Sequence, residues 1–457
     1  MGSYLNPGQD GYQINLNSSV FVDKTEIIAE LNGIIKTDER YICISRPRRF
    51  GKSVTVKMLL AYYSKNEDSD ALFRQLKISG DISYKKHLNR YDTVFINMTD
   101  EFNFASRDIG QMICNITKCI VTELRQTYQD VSFLNEENLA LCLNSIYKNT
   151  KIPFVIVIDE WDAIMREKPT DEDGIRAYLE WLKLIFKDKD YVALAYMTGI
   201  LPIKKYGSHS ALNMFMEYSM ISSDNYSAYI GFTEGEVKSL CEVKGGNFDE
   251  MRRWYDGYTF EHDLHIYNPN SVARAINRKK CKSYWRQTES FESLKKYIDL
   301  NMDGLREDVV NLVAGAEIAV HTDEFENDMT TFKGKDDVLT LLMHLGYLSI
   351  VPDSSISGIN NDTILAARIP NEEIKQEFRD ILRRSPQYPG VYSLIEKTNT
   401  LLSLIYNGNA REVASIFDEA HQDHTSILKY NDENSLACVI ALSLLLSTAD
   451  TYNVVRE

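Results

Sequence analysis

Over the first two hundred residues, short β-type apolar runs alternate with longer stretches whose apolar positions recur every three or four residues. Tyr41–Ser45, Thr93–Met98, Phe154–Ile158 and Tyr191–Met197 are the apolar runs. Val54–Tyr63, Ser106–Arg125 and Ile175–Phe186 carry the helical spacing; in the second, Ile109, Met112, Ile113, Ile116 and Ile120 fall on one face. Strands this uniformly apolar, separated by amphipathic helices, predict a parallel sheet covered by helices on both faces. The pattern changes after about residue 220 to helices and loops. Thr233 followed by Glu236 predicts a capping box opening a helix over Thr233–Val243. Asp256–Gly257, Asn268–Pro269 and Asp336–Asp337 read as turns. Val338–Leu345 reads as a helix running into a strand at Tyr347–Val351, the outline of a small winged-helix module. Ile374–Arg384, Val391–Leu404, Ala410–His421 and Ser435–Ala449 read as helices, and a last strand begins near Tyr452.

Bulk properties narrow the class. The 457 residues are too many for one core, so several domains are expected. A net charge of −15 argues against a surface that attracts nucleic acid everywhere, while leaving room for a local basic groove. Seven cysteines form no CxxC pair and several lie among apolar residues, which predicts reduced thiols in a cytoplasmic protein. Met1–Asp10 lacks a basic start and an apolar run, so no signal peptide is expected, and Ser435–Leu446 is too short to span a bilayer.

The chemistry concentrates at Ser45-Arg46-Pro47-Arg48-Arg49-Phe50-Gly51-Lys52-Ser53-Val54, between the first strand and its helix. A phosphate loop has the form GxxxxGK[ST]; here Arg46 replaces the first glycine and the GKS end is intact. Gly51 would let the backbone approach phosphates, Lys52 would place a charge at the β/γ oxygens, and Ser53 would offer magnesium a hydroxyl. The backbone N–H groups at the helix start would complete an anion nest. GKS alone is common, but Val155–Ile158 is an apolar strand ending in Asp159-Glu160. In that pairing the aspartate holds magnesium and the glutamate polarises the attacking water. Thr198, at the end of the next strand, is placed to sense them or is a plain turn residue. Arg46, Arg48 and Arg49 are candidates for the γ-phosphate, for a neighbouring subunit, or for solvent. Trp254–Tyr258 (WYDGY) reads as a packed aromatic turn rather than a base-stacking platform. His262 and His265 read as loop residues rather than zinc ligands, as do His421 and His424.

With these motifs the chain resembles the bacterial AAA-ATPase-like family, whose members usually carry a PD-(D/E)XK nuclease-like domain at the C-terminus. The resemblance rests on Phe21–Thr25 (FVDKT), Arg46–Ser53 (RPRRFGKS), Ile158–Asp162 (IDEWD), Met197–Gly199 (MTG), Gly231–Glu234 (GFTE), Trp254–Tyr258, Tyr267–Pro269 (YNP), Tyr284–Trp285, Gly346–Leu348 (GYL) and Ile369–Asn371 (IPN). It implies an α/β P-loop NTPase domain over 1–220, a helical lid over 221–290, a winged-helix-like region over 291–370, and over 371–457 a helical region with the start of a nuclease-like domain. ATP and Mg2+ are the implied cofactors, with Asp23 and Lys24 near the base or ribose. It leaves room for nucleic acid bound through the C-terminal half and for a homo-oligomer, with no membrane. Asn431–Glu457 resembles the opening of the nuclease-like domain, but no D…ExK follows Glu433, so cleavage by that mechanism is not expected of these residues. The expected function is a magnesium-dependent ATPase coupling nucleotide state to a C-terminal effector. The alternative is a nucleotide-dependent switch or scaffold with little turnover.

Overall fold

A computed structural model describes residues 2–65, 67–203, 212–222, 224–260, 263–285, 297–298, 302–313, 315–323, 325–326, 332–352, 364–384, 401 and 403–424. The helix and strand expected over Ser435–Ala449 and from Tyr452, and the nuclease-like segment, lie outside them.

Five parallel strands form the central sheet: β1 (Tyr41–Ser45), β2 (Asp92–Asn97), β3 (Phe154–Asp159), β4 (Val192–Gly199) and β5 (Met216–Tyr218), in the order β2-β3-β4-β1-β5. All five residues of β1 and all eight of β4 are buried, as their unbroken apolar character requires of strands covered on both faces. Helices α1 (Asp10–Leu16), α2 (Glu26–Ile34) and α3 (Lys52–Tyr63) contribute Tyr12, Ile28, Leu31 and Leu59 to one core cluster. The helices Ile109–Thr127, Leu139–Thr150 and Glu172–Phe186 pack Ile116, Leu143 and Leu182 into the other. Parallel pairing brings the carboxyl ends of β1, β3 and β4 to one edge: Ile44 lies opposite Thr198, and Ile158 opposite Met197. Ligands of open α/β sheets bind at that edge.

The segment read as a helical lid is not wholly helical. It contains helices Glu234–Lys244, Phe248–Tyr255 and Pro269–Arg278, but also a three-stranded antiparallel sheet of β6 (Phe232–Thr233), β7 (Tyr258–Phe260) and β8 (Leu264–Tyr267), ordered β6-β8-β7. The expected capping box is present, with both Thr233–Glu236 hydrogen bonds formed. Asn268-Pro269 is a helix start: Asn268 caps Ser271 and Pro269 occupies the first turn. Trp254, Tyr255 and Tyr258 are buried around the Asp256–Gly257 turn.

Farther on, helix Lys335–His344 precedes β10 (Ser349–Ile350), and β11 (Ile364–Arg368) pairs antiparallel with both β10 and β9 (Ile318–His321). Asp336–Asp337, read as a turn, instead form the first turn of that helix, where their charges oppose the helix dipole. From Asp337 to His344 every residue of this helix is buried.

Candidate nucleotide site

The loop between β1 and α3 takes its shape from two left-handed residues, Arg49 (φ +71°) and Gly51 (φ +98°). Arg46 does not lie in that region of backbone space, so a glycine is not needed at the loop entry. Gly51 precedes the first turn of α3 and turns the backbone so that the helix start faces a cavity of about 420 Å³. That volume is in the range of small-molecule sites. Arg49, Gly51, Lys52, Ser53 and Glu160 line it, and so do the rings of Tyr12, Phe21, Tyr229 and Phe232, which suit a flat ring. Phe50 and Val54 also line it.

Lys52 is buried, and its ammonium donates to the carbonyls of Arg46 (2.9 Å) and Pro47 (3.0 Å). Burial pulls its pKa down, while Glu160, Asp159 and Asp162 push it back up. Asp159 is buried at the end of β3; its Oδ1 accepts from Thr198 Oγ1 (2.5 Å) and from the Glu160 amide (3.1 Å). Thr198 thus meets the site through Asp159 rather than from the cavity wall. Glu160 has φ +55° and a partly exposed carboxylate whose Oε2 accepts from Arg166 (2.5 Å). The same guanidinium donates through Nε to Asp162 Oδ2 (2.9 Å), and that oxygen also accepts the amides of Ile200 (3.1 Å) and Leu201 (2.9 Å).

Asp162 and Arg166 are the residues that sequence reasoning missed. Their four-residue spacing on one helix face was available as a signal, but the partner amides after β4 were not.

Other expected site residues stand elsewhere. The Arg46 side chain is fully buried and turned away from the cavity. It donates to the carbonyls of Ser45 (3.0 Å) and Ser219 (2.7 Å) and lies 5.0 Å from the Phe260 ring. With no carboxylate paired to it among the described residues, burial lowers its pKa to about 10. Pro47 packs against Gly346, and neither Pro47 nor Arg48 lines the cavity. Arg49 lines it but donates to the Tyr284 carbonyl (2.9 Å). Asp23 is turned to the Thr25 and Lys77 amides and is not among the residues lining the cavity. Lys24 lines the cavity with its ammonium engaged by Glu236 (2.5 Å) and the Ala228 carbonyl (2.7 Å). His265 pairs with Asp256 (3.0 Å). Among the described residues no helix is long and apolar enough to cross a membrane.

The protein is similar over 409 residues, at 25% identity, to an uncharacterized protein in the vnfD 5' region of Azotobacter chroococcum mcd 1; the match covers 87% of this chain and 72% of that one. Among solved structures it is similar to the Aeropyrum pernix ORC1 protein in complex with DNA (TM-score 0.30, 10% identity, 84% of this chain and 98% of that chain). It is also similar to the Aeropyrum pernix ORC2 protein solved as ADPNP-ADP complexes (TM-score 0.31, 9% identity, 82% and 92%). Residues 9–208, which hold the loop, both carboxylates and Thr198, match the model of the predicted AAA-ATPases, and this part of the chain belongs to that AAA-ATPase-like family.

Proposed function

We propose that the chain binds ATP with Mg2+ in the cavity beside Lys52 and hydrolyses it, and that its C-terminal half responds to the nucleotide. The carrying observation is that Lys52, Ser53 and Glu160 wall one cavity, with buried Asp159 directly behind them. The ring-bearing part of the lining takes the base, and the helix start takes the phosphates. Lys52 exchanges its two loop carbonyls for β/γ oxygens, an exchange of neutral acceptors for charged ones that favours binding. Ser53 and Asp159 offer the hard oxygen donors that magnesium prefers. The metal would supply charge neutralisation to the phosphates. Glu160 accepts a proton from the water that attacks the γ-phosphorus, and the β–γ bond breaks with ADP as leaving group.

The loop's contacts with residues beyond the cavity support a coupling role. Phe50 stacks edge-on to Tyr258 (5.2 Å), and Tyr258 donates to the Gly346 carbonyl (2.7 Å). Pro47 meets Gly346, and Arg49 meets Tyr284, whose amide is held by Glu373 (2.7 Å). A loop that rearranges around phosphate therefore pulls on residues 284, 346 and 373. We read 221–290 as a lid and 291–370 as a winged-helix-like region that contains the sheet ordered β10-β11-β9. Its buried helix Lys335–His344 faces protein, so nucleic acid bound by this half would meet other surfaces.

ATP hydrolysis is measured with and without DNA or RNA. Lys52→Ala is expected to lose nucleotide binding, and Glu160→Gln to lose turnover while keeping it. Unchanged turnover in Glu160→Gln would overturn the role given to Glu160, and ATP binding without turnover in the parent chain would return it to the alternative, a nucleotide-dependent switch.

A further inference from the structure

We infer that Arg166 is a positioning residue for the hydrolysis step: it fixes the carboxylate of Glu160 so that one oxygen is anchored and the other is presented to the attacking water. This rests on the reading of Glu160 as the proton acceptor.

Glu160 needs such an anchor. Its backbone sits at φ +55°, a region L-residues with long side chains avoid. It lies one residue past the end of β3, and its side chain is partly exposed. Left alone, that carboxylate would sample several rotamers at the cavity mouth. Arg166 removes the freedom by a charge-assisted bond to Oε2 at 2.5 Å. Among the described residues, Oε1 has no such bond, and Glu160 lines the cavity beside Lys52 and Ser53.

The anchor is itself anchored. Arg166 is mostly buried, with its side chain 9% exposed, and its Nε is bonded to Asp162, which is 1% exposed. Asp162 in turn accepts the two amides that follow β4. Thr198, near the end of the same strand, donates to Asp159. The chain of bonds from Asp159 through Thr198 and the backbone after β4 to Asp162, Arg166 and Glu160 ties the two adjacent carboxylates into one frame. Arginine suits the task because its planar fork holds two carboxylates in fixed directions, which a lysine cannot do.

The test compares Arg166→Ala, Arg166→Lys, Glu160→Gln and the double variant Glu160→Gln/Arg166→Ala in the full chain. ATP affinity comes from titration calorimetry and turnover from phosphate release. Arg166→Ala should lower kcat roughly tenfold to a hundredfold, the scale of a misplaced catalytic group, with ATP affinity within about twofold. Arg166→Lys should recover part of kcat. In the Glu160→Gln background, Arg166→Ala should change residual turnover no further, because its effect passes through Glu160. Three results would overturn the inference: unchanged kcat in Arg166→Ala, a raised kcat (a latch rather than a support), or the same fold-loss in both backgrounds. If Arg166→Ala does not fold, Arg166→Lys carries the test, and kcat equal to the parent's sinks it. Failure of the underlying reading looks different, since Glu160→Gln would then keep full turnover.

Discussion

Burial, with Glu377 beside it, pushes the carboxyl of Glu373 up from 4.5 to about 7 against the hydrogen bonds it accepts from Ser271 and the Tyr284 amide. Between those values the folded protein keeps a proton that the unfolded chain has released. The stability from this group is complete below pH 4.5 and is lost as pH rises through 7. Glu373→Gln removes the dependence. The variant is expected to gain on the parent as pH rises, by at most about 3 kcal/mol at pH 8, with the gain absent near pH 4. Urea midpoints at the two pH values measure it, and a difference independent of pH would refute the assignment. His344 pulls the other way, since burial lowers its pKa to about 3 and charging it below pH 6.5 opposes folding. That term is common to both proteins and cancels in the comparison.

Helix Lys335–His344 meets the phosphate loop through the Gly346 turn. Gly346 has φ +81°, and a Cβ there would lie 2.7 Å from Pro47 Cγ. Gly346→Ala adds a clash to a strained backbone and should destabilise by about 1–3 kcal/mol. Gly408 has φ +71° with nothing near a Cβ, so Gly408→Ala carries strain alone. The thermal midpoint of Gly346→Ala should fall by several degrees more than that of Gly408→Ala; equal shifts would show that Pro47 moves aside freely. At this scale the sequence was legible where apolar spacing was strong, as in helix Glu172–Phe186, and where a cap was explicit, as in the Thr233 box. It misled where a local signal was ambiguous: Asp336–Asp337 resembles a turn by composition, but the apolar residues after it bury a full helix.

Across the whole molecule, the phosphate loop borders the cavity and also packs against Tyr258, Tyr284 and Gly346. On the proposed reading, nucleotide that shifts the loop shifts the packing of Gly346 and Tyr284, and the coupling is reciprocal. Hydrogen exchange of the full-length Glu160→Gln variant should change at amides in 335–350 and 372–384 when ATP is added. Exchange that stays the same at saturating ATP would uncouple the two halves. Arg46 serves this packing rather than the cavity: its buried cation is held by carbonyls at the ends of β1 and β5 and by Phe260, which a sequence pattern cannot place.

The sequence alone determined the α/β class, the strand–loop–helix at Arg46–Ser53 and the Asp159–Glu160 strand end. These follow from local periodicity and from residue types whose chemistry is intrinsic. Tertiary structure decided which arginines face the cavity, that Thr198 reaches it through Asp159, and that Asp162 and Arg166 frame Glu160. Each of those depends on residues that are far apart in the chain or on backbone direction at a strand end. Hydrophobic spacing carries no information about either, because burial and hydrogen-bond partners exist only once the strands have assembled.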